Sequence, residues 1–187
     1  QFMLYVRPTG SQVVAWGSQS IVPPEVRDVT MVTGGLQNVA VRFDGSIVAW
    51  DAQGLVSVPG APTDVVAVSN GIRHYLALKT DGTIAAWGRN DYGEATVPVG
   101  LRDVVAVYAG FEGKSFALRA DGTVVSWGYY NQLPDGLNDV VDLSVYESRI
   151  LATRADGTVV KWGAYATSYT PPANMGEVVT AVLGSSH

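Results

Sequence analysis

Several residue types recur in this chain at spacings that could do chemistry. Four Asp–Gly pairs, Asp44–Gly45, Asp81–Gly82, Asp121–Gly122 and Asp156–Gly157, set a carboxylate at one fixed point of a returning phrase. A second series of acids, Asp28, Asp64, Asp103, Asp139 and Glu177, stands just before apolar runs. Such arrays could bind cations, and Trp16, Trp50, Trp87, Trp127 and Trp162 could serve as stacking platforms for a ligand. A plainer role fits each set better. Asp in front of Gly is turn chemistry. An acid ahead of a strand fixes a loop by hydrogen bonding. A Trp at the same place in every repeat is wedged into a core. The only two His, His74 and His187, hold equivalent loop positions. No Ser–His–Asp set and no metal-ligand spacing emerges. The Gly-rich stretches precede no helix, which phosphate binding of the loop–helix kind needs. The expectation is a non-enzymatic chain that needs no cofactor and no metal.

Composition narrows the partners. The net charge is −5 and the isoelectric point is about 4.8. An acidic chain without a basic patch does not suit nucleic acid or an anionic membrane surface. No stretch of about 18 apolar residues is present, so no inserted helix is expected. There is no Cys, hence no disulfide and no thiolate site. That suits an exported protein, and an extracellular or cell-surface location is expected.

The elements that position these residues follow from the period. The Trp separations are 34, 37, 40 and 35 residues. A drifting period of this size marks a repeat architecture with insertions in its loops. Each unit carries an acid and an apolar run, a short loop often containing Gly, a second apolar run, Asp–Gly, and a third run ending in Trp–Gly. The runs are short, β-branched and bounded by Gly, so they read as strands. Asp–Gly between two of them predicts a type I′ hairpin. Three strands per unit are expected, with a poor fourth. Pro in the connecting segments suits turns and edges.

The ends carry a further expectation. Val182-Leu183-Gly184-Ser185-Ser186-His187 matches the first half of the unit that runs through His74, and Gln1-Phe2-Met3-Leu4 supplies the continuation. The two ends together complete one unit, with a longer turn at 7–12. The expected fold is an all-β, five-bladed β-propeller of about 37-residue repeats, forming a single domain over 1–187. Its blades are 177–187 with 1–22, 23–58, 59–98, 99–134 and 135–176. N- and C-terminal strands share one blade and close the ring, which removes exposed edges.

The phrase Ala117-Leu118-Arg119-Ala120-Asp121-Gly122-Thr123-Val124-Val125-Ser126-Trp127-Gly128 resembles the repeats of the regulator of chromosome condensation family. Trp87-Gly88-Arg89-Asn90-Asp91-Tyr92-Gly93-Glu94 is similar to that family's strand exit. The short period resembles its bacterial branch, which includes a propeller-type β-lactamase inhibitory protein. The resemblance spans essentially the whole chain and implies a β-propeller, usually of seven blades, where this chain offers five. Exchange-factor activity is not carried over, because the chain is acidic and has neither a basic tail nor a long wedge-like insertion. No motif maps the loop residues of β-lactamase inhibition onto this sequence.

Strand direction puts the Gly loops and the segments after Trp–Gly on one face and the Asp–Gly turns on the other. The turn face repeats from unit to unit, as scaffolding does. The opposite face varies. It carries Arg73, Tyr75, Arg89, Asp91, Tyr92, Phe111, Glu112, Lys114, Tyr129, Tyr130, Tyr146, Arg149, Tyr165 and Tyr169. Tyr and Arg are enriched at protein interfaces, because each gives a large contact with a polar handle. The varied face therefore reads as the site of a protein partner. A carbohydrate-binding propeller is the alternative, although a repeated sugar site would repeat its polar set. A permanently docked subunit of a larger assembly is a third reading.

Overall fold

A computed structural model of the chain describes residues 2–6, 13–17, 21–129 and 132–163. Within these residues the chain is all β apart from one short 3-10 turn at Phe111–Gly113. Five antiparallel sheets are described. The first is the pair β1 (Phe2–Val6) and β2 (Val13–Gly17). The second is β3 (Val29–Thr33), β4 (Asn38–Arg42), β5 (Ile47–Asp51) and β6 (Gly54–Val56). The third is β7 (Val65–Asn70), β8 (His74–Lys79) and β9 (Ile84–Gly88). The fourth is β10 (Val104–Ala109), β11 (Lys114–Arg119) and β12 (Val124–Gly128). The fifth is β13 (Val140–Tyr146), β14 (Arg149–Arg154) and β15 (Val159–Gly163). Strands that follow in sequence are neighbours in each sheet. Among the described residues the expected fourth strand occurs in one unit, as β6. The expected joining of 177–187 with 1–22 in one blade depends on 177–187, which lie outside the described residues.

The core lies between sheets. Val39, Val41 and Ala49 of the second sheet pack with Val68, Ala77 and Trp87 of the third. Leu76 and Leu78 pack in turn with Val107, Ala117 and Trp127, and Phe116 and Leu118 pack with Leu143, Ile150 and Ala152. Middle strands are therefore apolar on both faces. All five of His74, Tyr75, Leu76, Ala77 and Leu78 in β8 are buried, whereas in β7 only Val65 and Val68 are. Each first strand skips one residue in its register, at Thr30, Val66, Val105 and Val141. The skip turns Val66, Val105 and Val141 outward, where they are half exposed, as bulged residues are.

Backbone bonds stitch one sheet to the next. Val65 N–H donates to Gly45 O at 2.9 Å, Val104 to Gly82 O at 3.2 Å and Val140 to Gly122 O at 3.0 Å. The residue before each donor is an acid in the left-handed region: Asp64 at φ 59°, Asp103 at 58° and Asp139 at 53°. Asp tolerates that region better than most residues. Its carbonyl accepts from its own unit's turn, from Thr80, Ala120 and Ala155 N–H respectively. The acids ahead of the strands thus act through their backbone conformation as much as through their carboxylates.

The Asp–Gly turns differ from the type I′ expectation. Only the Gly has positive φ, 75°, 74°, 78° and 80° at Gly45, Gly82, Gly122 and Gly157. Gly122 N–H donates to Arg119 O and Arg119 N–H to Thr123 O. That is a type I turn closed by a Gly bulge. The reason lies in the side chain. Asp121 Oδ1 accepts from Thr123 N–H at 3.0 Å and from its hydroxyl at 2.6 Å, and Asp81 and Asp156 repeat this with Thr83 and Thr158. These bonds fix the turn and hold the three exposed carboxyls below the ordinary carboxylate range.

The stitch leaves no room at its Gly. A Cβ on Gly122 would stand 3.1 Å from Asp139 Cα, whereas one on Gly136 (φ 70°) meets nothing within 4 Å. Gly136→Ala should therefore cost about 1 kcal/mol, from the left-handed backbone alone. Gly122→Ala adds overpacking against backbone and should cost about 2–4 kcal/mol. Urea unfolding of both variants checks this; equal losses would mean that the inter-sheet contact does not limit that position.

Candidate functional site

Two kinds of loop meet at the end of the sheets opposite the Asp–Gly turns. Arg89 N–H donates to Arg73 O at 2.7 Å, and Tyr129 N–H to Gly113 O at 2.9 Å. The segment after each Trp–Gly therefore starts beside the loop that enters the middle strand. Gly88 and Gly128 permit this closeness: a Cβ there would lie 2.4 and 2.2 Å from those same carbonyl oxygens.

Side chains from these loops join into one strip across the third and fourth units. Arg89 Nε pairs with Asp91 Oδ2 at 2.6 Å, and the guanidinium lies 5.4 Å from the centre of the Tyr92 ring. Tyr92 packs on Tyr129 with ring centres 4.7 Å apart. Lys114 Nζ lies 5.6 Å from the centre of the Tyr129 ring. Lys114 donates to Glu112 Oε2 at 3.0 Å and to Ser148 Oγ at 3.4 Å, and Ser148 donates to Glu112 at 2.8 Å. The bonds from Ser148 and Lys114 hold the Glu112 carboxyl below its ordinary range. Glu112 itself sits at φ 60°, a conformation uncommon for a non-Gly residue and frequent where loops carry function. The order cation, aromatic, aromatic, cation shields two Tyr faces with positive charge, an arrangement worth about 0.5–1 kcal/mol per exposed contact.

The strip ends in a cleft of ≈ 630 Å³ between the fourth and fifth units. Glu112, Lys114 and Tyr129 of the fourth unit and Ser148, Ile150 and Trp162 of the fifth line it, with Leu133 and Pro134 from the segment between. Trp50, Trp87 and Trp127 are buried, while Trp162 is half-buried and open to this cleft. Nothing is described of the Trp16 side chain.

The residues expected on the varied face fall into five groups. Arg89, Asp91, Tyr92, Glu112, Lys114 and Tyr129 are brought together, although Lys114 is only 5% exposed and acts as a buried tie within the strip. Tyr146 and Arg149 form a separate pair, 5.5 Å from guanidinium to ring centre, with Glu147 3.4 Å from Arg149. Arg73 and Phe111 are exposed on the same loops. Tyr75 corrects the expectation. It is 3% exposed, stacks on Trp87 at 5.3 Å and accepts from Gln37 N–H through its hydroxyl. In register it lies opposite Trp87, so its side chain points into the inter-sheet core. Tyr130, Tyr165 and Tyr169 lie outside the described residues.

Glu94 is the residue that sequence reasoning missed. It is fully buried, yet its carboxylate accepts from Tyr92 N–H at 2.7 Å and lies 3.8 Å from Arg89 Nε. Its main-chain carbonyl accepts from Trp127 Nε1 at 2.9 Å and from Ser115 Oγ at 2.8 Å. His74 Nε2 reaches the same Ser115 hydroxyl at 3.0 Å. Ser115 has no exposed surface and already donates to Glu94 O, so this Ser–His contact clasps two units together and presents no nucleophile to solvent.

Residues 65–94 match the regulator of chromosome condensation (RCC1) repeat family. No curated protein matches the chain. Among solved structures, the ectodomain of the receptor kinase CR4 from Physcomitrella patens is similar with a TM-score of 0.73 and 18% identity, covering 87% of this chain and 49% of that one. Prp20p from Saccharomyces cerevisiae gives 0.58 at 21% identity, covering 72% and 43%. The computationally designed Ika4 protein gives 0.51 at 22%, covering 72% and 90%. This chain thus spans about half the length of the CR4 ectodomain. The likeness is one of fold: an all-β propeller architecture of RCC1-type repeats.

Burial of His74 lowers its pKa below 6.5, with the nearby Glu94 charge acting the other way. The unfolded chain therefore binds this proton more readily than the folded one. His74 should contribute its stability fully above about pH 6.5 and lose it as pH falls below that value. Melting temperature should drop between pH 7.5 and 5.5 in the wild type, and the drop should flatten in His74→Gln. Parallel curves for the two proteins would assign the pH dependence to other groups.

Proposed function

We propose that this chain of RCC1-type repeats is a non-enzymatic binding propeller that engages a protein partner through its varied loop face. The observation that carries the reading is the strip Arg89–Tyr92–Tyr129–Lys114, which two units build together and no other described pair of units repeats. Tyr and Arg anchors next to a cleft suit the centre of a protein interface. A sugar site in a repeat protein would ask for the same set in each unit. Fold neighbours support the class of ligand: Prp20p is described with its binding to Gsp1p and histones, and with Kap60 bound.

Capture from the native source should separate the faces. Tyr92→Ala combined with Tyr129→Ala removes two ring contacts from the strip. It should weaken capture by tenfold or more, at about 1 kcal/mol or more for each anchor lost. Lys79→Ala, beside an Asp–Gly turn, should leave it unchanged. Loss with Lys79→Ala and not with the Tyr variants would move the interface to the turn face. Capture of glycan in place of protein would favour the carbohydrate reading.

The same proposal includes a ring of five blades, with 177–187 and 1–22 forming one blade. Its support is the match of the two ends to the two halves of a single unit. A permutant joining His187 directly to Gln1 and opened between Val99 and Gly100, where Val99 is fully exposed, should fold with a melting temperature within a few degrees of the wild type. An open array would hold the joined ends apart, and the permutant would fail to fold.

A further inference from the structure

The segment 89–96, which carries Tyr92, is tied to its neighbours at very few points. Of its eight residues only Glu94 is buried. Gly93 N–H donates to Asn90 O, Thr96 N–H to Gly93 O, Ala95 N–H to Asn90 Oδ1 and Tyr92 N–H to Glu94 Oε2, so these bonds all stay within the segment. Past the first bond, from Arg89 N–H to Arg73 O, its hydrogen bonds to other described residues end on one atom, the Glu94 carbonyl oxygen. A loop that folds on itself and is pinned at one buried residue opens without unfolding the sheets, as low-stability units do.

The pin shares its partner with a titratable group. Ser115 Oγ donates to Glu94 O at 2.8 Å and stands 3.0 Å from His74 Nε2. The hydroxyl has one proton, so Nε2 is the donor to Ser115, and a second proton on the ring goes to Nδ1. That side of the ring is packed. His74 is 2% exposed, and a Cβ on Gly71 would stand 2.6 Å from Nδ1 and 2.6 Å from Gly110 O. The charged groups on the elements around the ring are Glu94, with Arg89 Nε 3.8 Å from its carboxylate, and Lys114, whose ammonium is turned to Glu112 and Tyr129. Arg73, next in sequence, is exposed. The Glu94 charge and the Lys114 carbonyl favour the charged ring, but burial outweighs them. A charged ring needs solvent, and the segment that shares Ser115 with it is the one most weakly tied.

We infer that the His74–Ser115–Glu94 clasp is an acid-released latch for the loop face. When His74 takes up a proton, 89–96 lifts off Ser115 and Trp127, solvent reaches the ring, and Tyr92 leaves Tyr129. The strip that two units build together comes apart, and the partner is released. That last step rests on the protein-binding reading of this face; the opening of the loop does not. The sign follows from the ring. The closed form holds His74 neutral, whereas the open form lets it take a proton with ordinary affinity. The balance therefore moves toward the open form by at most about tenfold for each pH unit below about 6.5.

Hydrogen exchange of the intact protein tests the latch without a partner. It is read by mass spectrometry on peptides spanning 89–96, β8 and β11, and corrected for the intrinsic effect of pH. Between pH 7.5 and 4.5 the protection of 89–96 should fall, by up to about tenfold per unit below about pH 6.5, while β8 and β11 keep theirs. His74→Gln, whose amide still donates to Ser115, should hold its loop protection across that range. Equal losses in 89–96 and the two strands would mean that the whole fold opens, and no loss would mean that the loop stays closed on the ring; either overturns the latch on the wild type alone. A loss that persists in a folded His74→Gln assigns the proton to another group and overturns it as well. Capture at pH 7.5 and 5.5 keeps the two readings apart. Partner lost on acidification from the wild type and kept by His74→Gln supports both. Partner kept by a wild type whose loop has opened sinks the strip as the interface and leaves the latch standing.

Discussion

The fold depends on one backbone contact, the bond from the first strand of a unit to the Gly carbonyl of the preceding unit's turn. A sheet of three short strands cannot bury both faces alone. Neighbours must therefore approach closely and at a fixed angle. The contact sets that angle with groups that carry no side-chain chemistry: Gly45, Gly82 and Gly122 on one side, and the N–H groups of Val65, Val104 and Val140 on the other. For those N–H groups to point out of the strand, the residue before must be left-handed. Asp fills that place each time. Two backbone conformations disfavoured for most residues are thus spent on one hydrogen bond per boundary, and the apolar clusters between sheets form around it.

Because the stitch uses the turn end of every sheet, that end cannot vary without loosening a boundary. The opposite end has no such duty. Its loops are joined by bonds such as those at Arg73–Arg89 and Gly113–Tyr129, and their side chains differ among the described units. Separating the repeating end from the varied one is what allows the Arg89-to-Ser148 network to occur at one described boundary without recurring at the others described. The network also reaches across a boundary, since Ser148 of the fifth unit binds Glu112 and Lys114 of the fourth.

Much of the architecture was legible because it is periodic. The Trp spacing and the recurrent Asp–Gly pairs fix the units, the strand count and the two ends of each sheet. What was not legible was set by neighbours in space. Tyr75 follows a loop and looks like a loop residue, but β-strand alternation and its register with Trp87 turn it inward. The turn type escaped because Asp–Gly serves both I′ and bulged type I turns; the following Thr or Ser, whose N–H and hydroxyl bind the Asp, decides between them. Glu94 escaped for a different reason. A Glu in a polar loop reads as solvated, and only its contacts with Tyr92 N–H and Arg89 explain its full burial.

Burying Glu94 needs a reason, since a carboxylate in an apolar boundary is costly unless its oxygens are bound. One oxygen has Tyr92 N–H and the other has only Arg89 at 3.8 Å. The return comes from the backbone: its carbonyl accepts from the Ser115 hydroxyl and from the Trp127 indole, for which no other acceptor is described. The preceding boundary has no such carbonyl. Val56 and Val58 pack into the cluster around Trp87 instead, and the Trp87 Nε1 is buried without a partner. The seal over each Trp is therefore a local solution, drawn from whatever segment follows the previous Trp–Gly.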